Sequence, residues 1–363
     1  MYTVQQSLSR MVGSASILLV GSLVSKMLNY FYRAYLARTL SVSDYGLLNI
    51  GIMVVTVAAA VATIGMENGL NRYIPYYLGL KNKKKVSGVI YFSFLTAVVV
   101  SIVLALAVYI FSGVIASLFE SSDILVRLLK VLSFSIPFMV VGNRILLNSL
   151  LFLGYVKEYS FIFNFLQHVS RLLLTIFFVS LGFAIMGSAI AYSINAVIIG
   201  IVSLYLFNYK FKIKKIKFID KKEFLHYSLP LFLVTIVAFI NGWTDTFMIG
   251  YLLDNYSVGL YNAAFLVSQL LYLFPGIVLP LTMPIIGPYF ARKEMENVNK
   301  IAKHITKWIF AVNFFVLSLF LIFPGVILRI IFGIKYFDAV PALIILVLGA
   351  FIQIAVSLLL SFL

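Results

Sequence analysis

The sequence contains no cysteine and little negative charge. Its 363 residues include 12 Asp and Glu against 28 Lys and Arg, and charged residues of both signs make up only 11% of the chain. The lack of cysteine excludes disulfide bonds and leaves the redox compartment undefined. Hydrophobic residues reach 63%, which is far above the usual content of a soluble domain. Together these features predict a helical integral membrane protein.

Signatures of catalysis are also missing from the sequence. It contains no glycine-rich phosphate loop, no cluster of metal-ligating residues and no paired carboxylates in a polar loop. The sequence therefore predicts a protein that is not an enzyme, with no catalytic residue, no metal site and no cofactor. Without a nucleotide site, any work that the protein does would draw its energy from the membrane potential, an ion gradient or consumption of the product.

Long apolar segments follow one another along the chain. Each is near the roughly 20 residues that a bilayer requires. We predict ten membrane spans, at residues 12–36, 44–66, 88–112, 128–150, 157–181, 184–207, 224–250, 257–287, 304–328 and 340–363. The first span follows Arg10, exceeds the apolar core of a signal peptide and has no small-residue cleavage site after it, so it is predicted to be a transmembrane helix.

The net charge of +16 has two interpretations. One is a nucleic-acid partner. The other is an orientation signal, because twenty of the 28 Lys and Arg residues fall on one side of the predicted membrane and five on the other. Such an excess is typical of cytoplasmic loops. We therefore predict a protein of the cytoplasmic membrane with a cytoplasmic N-terminus, in contact with membrane lipids and without a nucleic-acid partner.

An internal repeat is indicated by short stretches that recur at an offset of 213 residues. The matches are Gly46-Leu47 with Gly259-Leu260, Asn49 with Asn262, and Pro75-Tyr76-Tyr77 with Pro288-Tyr289-Phe290. Six spans separate the copies, so both would enter the membrane with the same polarity, as a parallel repeat. We predict an N-terminal lobe of six spans at residues 1–212 and a C-terminal lobe at residues 213–363. The second lobe has four spans where the first has six, which predicts either a truncated chain or a gene that has lost its end.

The first span carries a polar stripe on an otherwise apolar helix. Its members share one face when successive residues are placed about 100° apart, and they are Ser22, Lys26, Asn29 and Arg33. A charge at the bilayer centre costs on the order of 2.5–3.5 kcal/mol on insertion scales. Lys26 lies roughly 15 Å from the nearer end of its span, too far for its side chain to reach water. We expect it to face a cavity; a structural ion pair is the alternative.

Three stretches resemble a known family. They are Leu36-Ala37-Arg38-Thr39-Leu40 with Ser41-Val42-Ser43-Asp44-Tyr45-Gly46-Leu47, then Gly65 to Tyr73, and Asp245 with Ile249 to Leu252 and Val258 to Tyr261. They are similar to motifs of the polysaccharide flippases, the O-antigen (Wzx) branch of the multidrug/oligosaccharidyl-lipid/polysaccharide (MOP) exporter superfamily. Ser41 stands where that family usually has glycine, and family members have twelve to fourteen spans.

The resemblance implies a fold and an activity. The implied fold is an all-α, MATE-like bundle of two six-helix lobes in a V around a central cavity. The implied activity is alternating-access translocation of an oligosaccharide linked to a polyprenyl pyrophosphate, an anionic glycan lipid, across the cytoplasmic membrane. Proteins of polysaccharide assembly are candidate partners.

Ionisable residues inside the spans are the candidate substrate-binding residues. They are Lys26, Arg33, Arg144, Arg171 and Asp245. Arg33 and Arg144 are close enough to span ends for their side chains to reach the interface. Arg171 shares a polar stripe with Asn164, Gln167 and His168 that would also serve for bonding between helices. Asp245, the only acid deep in a span, would either neutralise Lys26 or Arg33 or take up a proton or cation.

Two further groups are candidates for a gate and a hinge. Glu67, Asn68 and Arg72 lie at the end of the second span, where they would form a gate or simply cap the helix. Pro275, Pro280 and Pro284 lie in the eighth span. Because proline removes a helical hydrogen bond and bends a helix, they would form a hinge for alternating access or a static kink.

Two other functions compete with the flippase. A multidrug exporter of the same superfamily would carry cations and would need acids inside, whereas a pyrophosphate needs cations. The preponderance of deep cations over Asp245 favours an anionic substrate. A membrane-embedded glycosyltransferase or polymerase would need catalytic carboxylates and a sizeable polar loop, and the predicted outer loops are short.

Overall fold

The computed structural model describes residues 4–119, 123–211 and 221–361, and over these residues the chain is helical except for short turns. Eight helical stretches in the described chain are long and apolar enough to cross a membrane. The predicted class, an all-α multi-pass membrane protein, is confirmed. One of the eight stretches, Val156–Lys210, covers two predicted spans. The first predicted span lies in the helix Val4–Thr39, which is outside the eight.

The contacts divide the chain into two compact units, one that ends at Val258 and one that begins at Gly259. The first unit contains α1 Val4–Thr39, α2 Val42–Ala62, α3 Met66–Gly79, α4 Lys83–Ile110, α5 Ser112–Ala116, α6 Asp123–Ser133, α7 Ser135–Phe138, α8 Asn148–Phe152, α9 Val156–Ser160, α10 Gln167–Phe178, α11 Ala184–Lys210, α12 Lys221–Leu252 and the start of α13 Asn255–Ser268. The predicted lobe boundary at residues 212 and 213 lies outside the described residues.

Three π-helical segments interrupt the regular α-helices of the first unit. They are Met139–Leu147, Phe161–Leu166 and Val179–Phe183. Segments of this kind are rare and are frequently found at functional sites. The first contains Arg144 and the second contains Asn164. Two polar positions that the sequence singles out therefore lie where the helix departs from regular geometry.

The turn before α2 starts that helix through a local cap. The side-chain oxygen of Ser41 accepts a hydrogen bond from the backbone N–H of Asp44 at 3.0 Å, and the Ser41 hydroxyl donates to the Asp44 carboxylate at 2.7 Å. Serine is a favoured residue at this position because it satisfies a backbone donor of the first turn. The capped start sets the rotation of α2, which directs Tyr45 and Asn49 into the interior, where they are 1% and 3% exposed.

A sharp bend separates the fifth and sixth predicted spans. Gly182 has φ of 88° and Ala184 has φ of 44°, both outside the helical region. Glycine adopts positive φ without steric cost, so Gly182 allows the chain to turn here. The bend falls between the predicted spans 157–181 and 184–207.

The π-helical segment Met139–Leu147 crosses α11 at a pair of glycines. A Cβ atom built on Gly142 would lie 2.7 Å from the Cα of Gly200. Small residues permit such close approach of helix backbones in membranes. Because the contacted atom belongs to the backbone, it has little freedom to move away.

We predict that Gly142→Ala destabilises the protein by about 1–3 kcal/mol, the usual cost of overpacking. Gly242→Ala is the matched control, since Gly242 lies inside α12 and a methyl group added there would have nothing within 4 Å among the described residues. The control should be neutral or slightly stabilising, because alanine favours helix more than glycine does. Thermal unfolding of both variants in detergent measures the difference. Equal midpoints would show that the crossing tolerates a methyl group.

The second unit continues α13 and contains a 3₁₀ turn at Gln269–Tyr272, α14 Leu273–Ala291, α15 Met295–Ile322, α16 Pro324–Phe332, a 3₁₀ segment at Ile334–Ala339 and α17 Val340–Ser361. Its interior is partly aromatic. Phe351 on α17 packs between Phe310 and Phe314 of α15, with ring centroids 5.4 and 6.3 Å apart. These rings tie α15 to α17.

The hinge prolines Pro275, Pro280 and Pro284 all lie within α14. The irregular backbone in this region is the 3₁₀ segment Gln269–Tyr272, which ends three residues before Pro275. Proline donates no hydrogen bond to the carbonyl four residues earlier and its ring crowds that carbonyl, so the chain is tightened at the preceding turn. A hinge at this irregular turn stays a prediction.

Candidate anion-binding site

Four helices of the first unit enclose a small polar cavity of about 50 Å³, here called the arginine cavity. Its polar lining comes from α1, α2, α10 and α11, and comprises Asn29, Tyr32, Arg33, Tyr45, Asn49, Arg171 and Tyr192. Two of the predicted substrate-binding residues, Arg33 and Arg171, are thereby brought together, although they lie far apart in the sequence.

Arg171 crosses from α10 to α1. Its Nη2 donates a hydrogen bond to Oδ1 of Asn29 at 3.0 Å, and its guanidinium lies over the ring of Tyr32, with Cζ 4.5 Å from the ring centroid. The buried Nε of Arg171 has no hydrogen-bond partner among the described residues. An unsatisfied buried donor costs about 1–3 kcal/mol of folding free energy. The Arg171 guanidinium therefore keeps an N–H donor that is available to a ligand.

Arg33 is held from α2. Its Nη1 donates to Oδ1 of Asn49 at 3.2 Å, while Nδ2 of Asn49 donates to the backbone carbonyl of Tyr45 at 2.7 Å. The second bond uses the amide nitrogen and leaves the amide oxygen directed at Arg33. The capped turn before α2 therefore positions Asn49, and Asn49 positions the guanidinium.

The arginine cavity has an excess of positive charge. The two guanidinium groups bond to asparagine side chains, which are neutral, and no carboxylate is among the lining residues that the structure describes. An arginine away from water normally requires a carboxylate or another anion, because desolvation of an unpaired ion is costly. The cavity therefore has the electrostatic character of an anion site.

Lys26 and Asp245 lie outside the lining of this cavity. Lys26 is exposed on α1, although Asn29 and Arg33 of the same predicted stripe face the cavity. Asp245 is half-buried on α12, and its Oδ1 accepts a hydrogen bond from the backbone N–H of Thr246 at 2.7 Å. A role of either residue in substrate binding stays a prediction.

Arg144, the remaining predicted binding residue, forms an ion pair with Glu67 of α3. Its Nη1 lies 3.2 and 3.3 Å from the two carboxylate oxygens, and the two side chains are 27% and 17% exposed. The Arg144 guanidinium also lies against the ring of Phe239 on α12, with Cζ 5.5 Å from the centroid. A predicted binding residue and a predicted gate residue are thus direct partners.

The other predicted gate residues bridge α3 to α12. Asn68 donates from Nδ2 to the hydroxyl oxygen of Thr235 at 3.3 Å, and the Arg72 guanidinium lies 4.2 Å from the ring centroid of Tyr227. With the Arg144–Glu67 pair they form a polar contact between helices, here called the α3–α12 cluster. The cluster joins α3 to α12 and to the π-helical segment Met139–Leu147, and a gate role of its residues stays a prediction.

Sequence reasoning does not find two aromatic members of the arginine cavity, Tyr32 and Tyr192. The position of Tyr32 near the end of a predicted span favours the membrane interface, but its side chain is 3% exposed and supports Arg171. Tyr192 on α11 lies among Ser188, Ser193 and Asn195 in an otherwise apolar span. That concentration of polar side chains in an apolar span is the sequence signal by which Tyr192 can be identified as a candidate.

The first unit and the helices that follow it have the fold of the MOP exporters, as comparison with solved structures shows. The chain matches the inward-facing structure of a multidrug resistance MATE family transporter of the MOP superfamily, with a TM-score of 0.69 and 18% identity over 96% of this chain and 87% of that chain. The outward-facing structure of such a transporter matches with a TM-score of 0.63 and 18% identity over 96% of this chain and 84% of that chain.

A third solved structure, a MOP superfamily transporter from Pyrococcus furiosus, matches with a TM-score of 0.62 and 18% identity over 97% of this chain and 84% of that chain. The chain itself belongs to the polysaccharide biosynthesis protein family, whose model matches residues 11–294. No curated protein matches the sequence. The resemblance seen in the sequence motifs is confirmed at the level of the family, and the fold that it implied is confirmed by the solved structures.

Proposed function

We propose that this protein translocates a polyprenyl-pyrophosphate-linked oligosaccharide across the cytoplasmic membrane. The observation that supports the proposal is the arginine cavity, which Arg33 and Arg171 both line while they bond to neutral asparagine side chains. Membership of the polysaccharide biosynthesis family supports the glycan part of the substrate. The positive-inside bias supports a cytoplasmic N-terminus.

Pyrophosphate suits this cavity because of its charge and its geometry. Arginine presents five N–H donors in a planar fork that matches phosphate oxygens, and hydrogen bonds between two charged groups are about twice as strong as neutral ones. Binding would replace the two asparagine oxygens and would also give the buried Nε of Arg171 an acceptor.

The size of the cavity sets a condition on binding. A volume of about 50 Å³ holds water rather than a pyrophosphate. Loading would therefore separate α1 and α2 from α10 as the anion displaces Asn29 and Asn49. Such a cavity would close again once the substrate leaves, and release requires that the charges hold the anion only moderately.

Export of cationic drugs is the competing function. The multidrug resistance transporters share the fold at 18% identity, and a likeness of that degree does not assign their cargo to this chain. For the transporter from Pyrococcus furiosus, the reverse polarity of its binding pocket suggests a different function. The basic cavity of the present chain favours an anionic cargo over a cationic one.

A ligand-stabilisation experiment tests the substrate class. A ligand that binds only the folded state at 100 times its dissociation constant stabilises it by about 2.7 kcal/mol. We expect a polyprenyl-pyrophosphate-linked oligosaccharide to raise the unfolding midpoint of the detergent-purified protein, and a lipophilic cation to leave it unchanged. Stabilisation by the cation alone would support the drug-exporter function instead.

A further inference from the structure

The first half of α15, in the second unit, carries its positive charge on one side of the helix. Five exposed side chains project within an arc of about 140° when successive residues are placed about 100° apart. In order around the helix they are Lys303, Lys307, Lys300, His304 and Trp308. This surface is here called the α15 basic face. The opposite side of the helix packs into the protein, where Ala302 and Ile309 are buried.

Most of the positive charge on the basic face is not neutralised by the protein. Lys300 pairs with Glu296 at 2.7 Å, but both side chains are largely exposed, and exposed pairs of this kind are weak. Lys303 and Lys307 form no ion pair in the part of the chain that the structure describes. The face therefore offers cations to an anionic ligand.

The basic face borders a groove between α14 and α15, with a volume of about 530 Å³. The groove is lined by Phe274, Val278 and Ile285 of α14 and by Lys300, Ile301, His304, Ile305 and Trp308 of α15. Eleven helical steps from Phe274 to Ile285 correspond to about 16 Å, close to half of the roughly 30 Å hydrocarbon core of a bilayer. The groove therefore has the length of one leaflet.

Charge and hydrocarbon lie at different levels along this groove. A turn at residues 292–294 joins α14 to α15, so Ile285 lies towards the basic face and Phe274 lies farther from it. Trp308 is 59% exposed between the two levels, and an exposed tryptophan is typical of the membrane interface. The lysines are among those on the predicted cytoplasmic side. The surface matches a lipid with an anionic head and a chain that extends through one leaflet.

We infer that the α15 basic face and its groove bind an anionic phospholipid, with the phosphate at Lys303, Lys307 and His304 and one acyl chain in the groove. Lysine side chains at the membrane surface attract anionic lipids, and the His304 ring can donate a hydrogen bond to a phosphate oxygen. A zwitterionic lipid gains less, because its head carries a compensating cation. This lipid site is separate from the proposed substrate site and does not depend on the proposed function.

Tryptophan fluorescence tests the inference, because the chain has two tryptophans and one of them lines the groove. Trp243→Phe leaves Trp308 as the reporter. The full chain with this substitution is reconstituted in phosphatidylcholine liposomes, where increasing fractions of brominated phosphatidylglycerol or of brominated phosphatidylcholine quench the tryptophan that they contact. We expect phosphatidylglycerol to bind at least about fivefold more tightly than phosphatidylcholine, the effect of a single lysine near an anionic membrane surface.

Paired lysine variants test the position of the lipid head. Lys303→Gln with Lys307→Gln should reduce the preference for phosphatidylglycerol to less than about twofold, with an unchanged unfolding midpoint, because both side chains are exposed. Lys83→Gln with Lys84→Gln is the control. It removes the same charge from exposed positions at the start of α4 and should leave the preference intact.

A groove-filling variant tests the position of the chain. Val278→Phe places a ring in the groove and should reduce quenching at saturating phosphatidylglycerol severalfold. Val356→Phe is the control, because Val356 is 49% exposed on α17 and outside the lining, and it should leave the quenching unchanged.

Three results would overturn the inference. Equal binding of the two lipids at Trp308 would mean that ordinary membrane lipid covers the groove, and no quenching by either would mean that lipid does not enter it. A preference for phosphatidylglycerol that survives the double lysine variant, or that Trp243 reports equally in a Trp308→Phe protein, would place its origin elsewhere. None of these results bears on translocation of the oligosaccharide, which is measured separately.

Discussion

Replacing Arg171 by alanine is expected to reduce translocation of the lipid-linked oligosaccharide roughly 10- to 100-fold. A hydrogen bond to a charged group contributes about 1.5–3 kcal/mol, and each 1.4 kcal/mol corresponds to about a factor of ten. Arg171→Lys should retain part of the activity, because it keeps the charge and loses the planar fork. Arg127→Ala is the control, since Arg127 is exposed on α6 and its Nε donates to a backbone carbonyl of its own helix.

Substitution of Arg171 is not expected to lower the stability of the fold, in contrast to its effect on transport. The buried Nε of Arg171 lacks a partner in the described chain, and this unsatisfied donor lowers the free energy of unfolding. Arg171→Met should therefore leave the unfolding midpoint unchanged or raise it while transport is lost, as is common where a functional site is costly to the fold. A variant that loses transport only because it unfolds or fails to accumulate would assign Arg171 a structural role.

Reversing one charge of the Glu67–Arg144 pair is the second large effect that we expect. Glu67→Lys places two cations where the structure has an ion pair at 3.2 Å. Loss of one partner in a fully buried pair costs about 3–5 kcal/mol, and the partial exposure of this pair lowers the figure. We expect transport to fall about tenfold or more, and the double variant Glu67→Arg with Arg144→Glu to recover part of it.

The Glu296–Lys300 pair provides the control for charge reversal. Its side chains are 84% and 69% exposed on α15, so Glu296→Lys should have no measurable effect on transport. A double charge reversal at residues 67 and 144 that is no better than the worse single variant would argue against a gate held by this pair. In that case the two residues would act separately.

The membrane spans were predictable because a bilayer requires every backbone polar group to bond within its own helix. Long apolar segments therefore form helices, and a described helix overlaps each of the ten predicted spans. Two boundaries were wrong, because α2 ends at Ala62 within the span 44–66, and the span 304–328 is broken between α15, which ends at Ile322, and α16, which begins at Pro324. The lobe boundary was set by the basic linker and the repeat, both of which are sequence features. In the structure α12 packs with the helices before it, in the unit that ends at Val258.

The arginine cavity was predictable only in part. The helical stripe on α1 correctly placed Asn29 and Arg33 on one face, but it also included Lys26, which is exposed. At 100° per residue, Lys26 lies about 60° from Asn29, at the edge of the stripe. The partnership of Arg171 with Asn29 links positions 142 residues apart, and no local pattern specifies such a contact.

The Arg144–Glu67 pair shows the same limit. Depth in a span singled out each residue, because ionisable side chains are costly there. Their partnership spans 77 residues and depends on how α3 packs beside the π-helical segment. Periodicity along one helix carries no information on that packing.

Transfer of the lipid-linked oligosaccharide across a liposome membrane is the decisive measurement. The full-chain protein is reconstituted, and the fraction of labelled polyprenyl-pyrophosphate-linked oligosaccharide that is accessible from outside is followed over time. We expect that fraction to fall in liposomes that contain the wild-type protein and to stay constant in protein-free liposomes and in those with Arg171→Met. Transfer of a lipophilic cation without transfer of the oligosaccharide would contradict the assignment of an anionic glycan-lipid substrate.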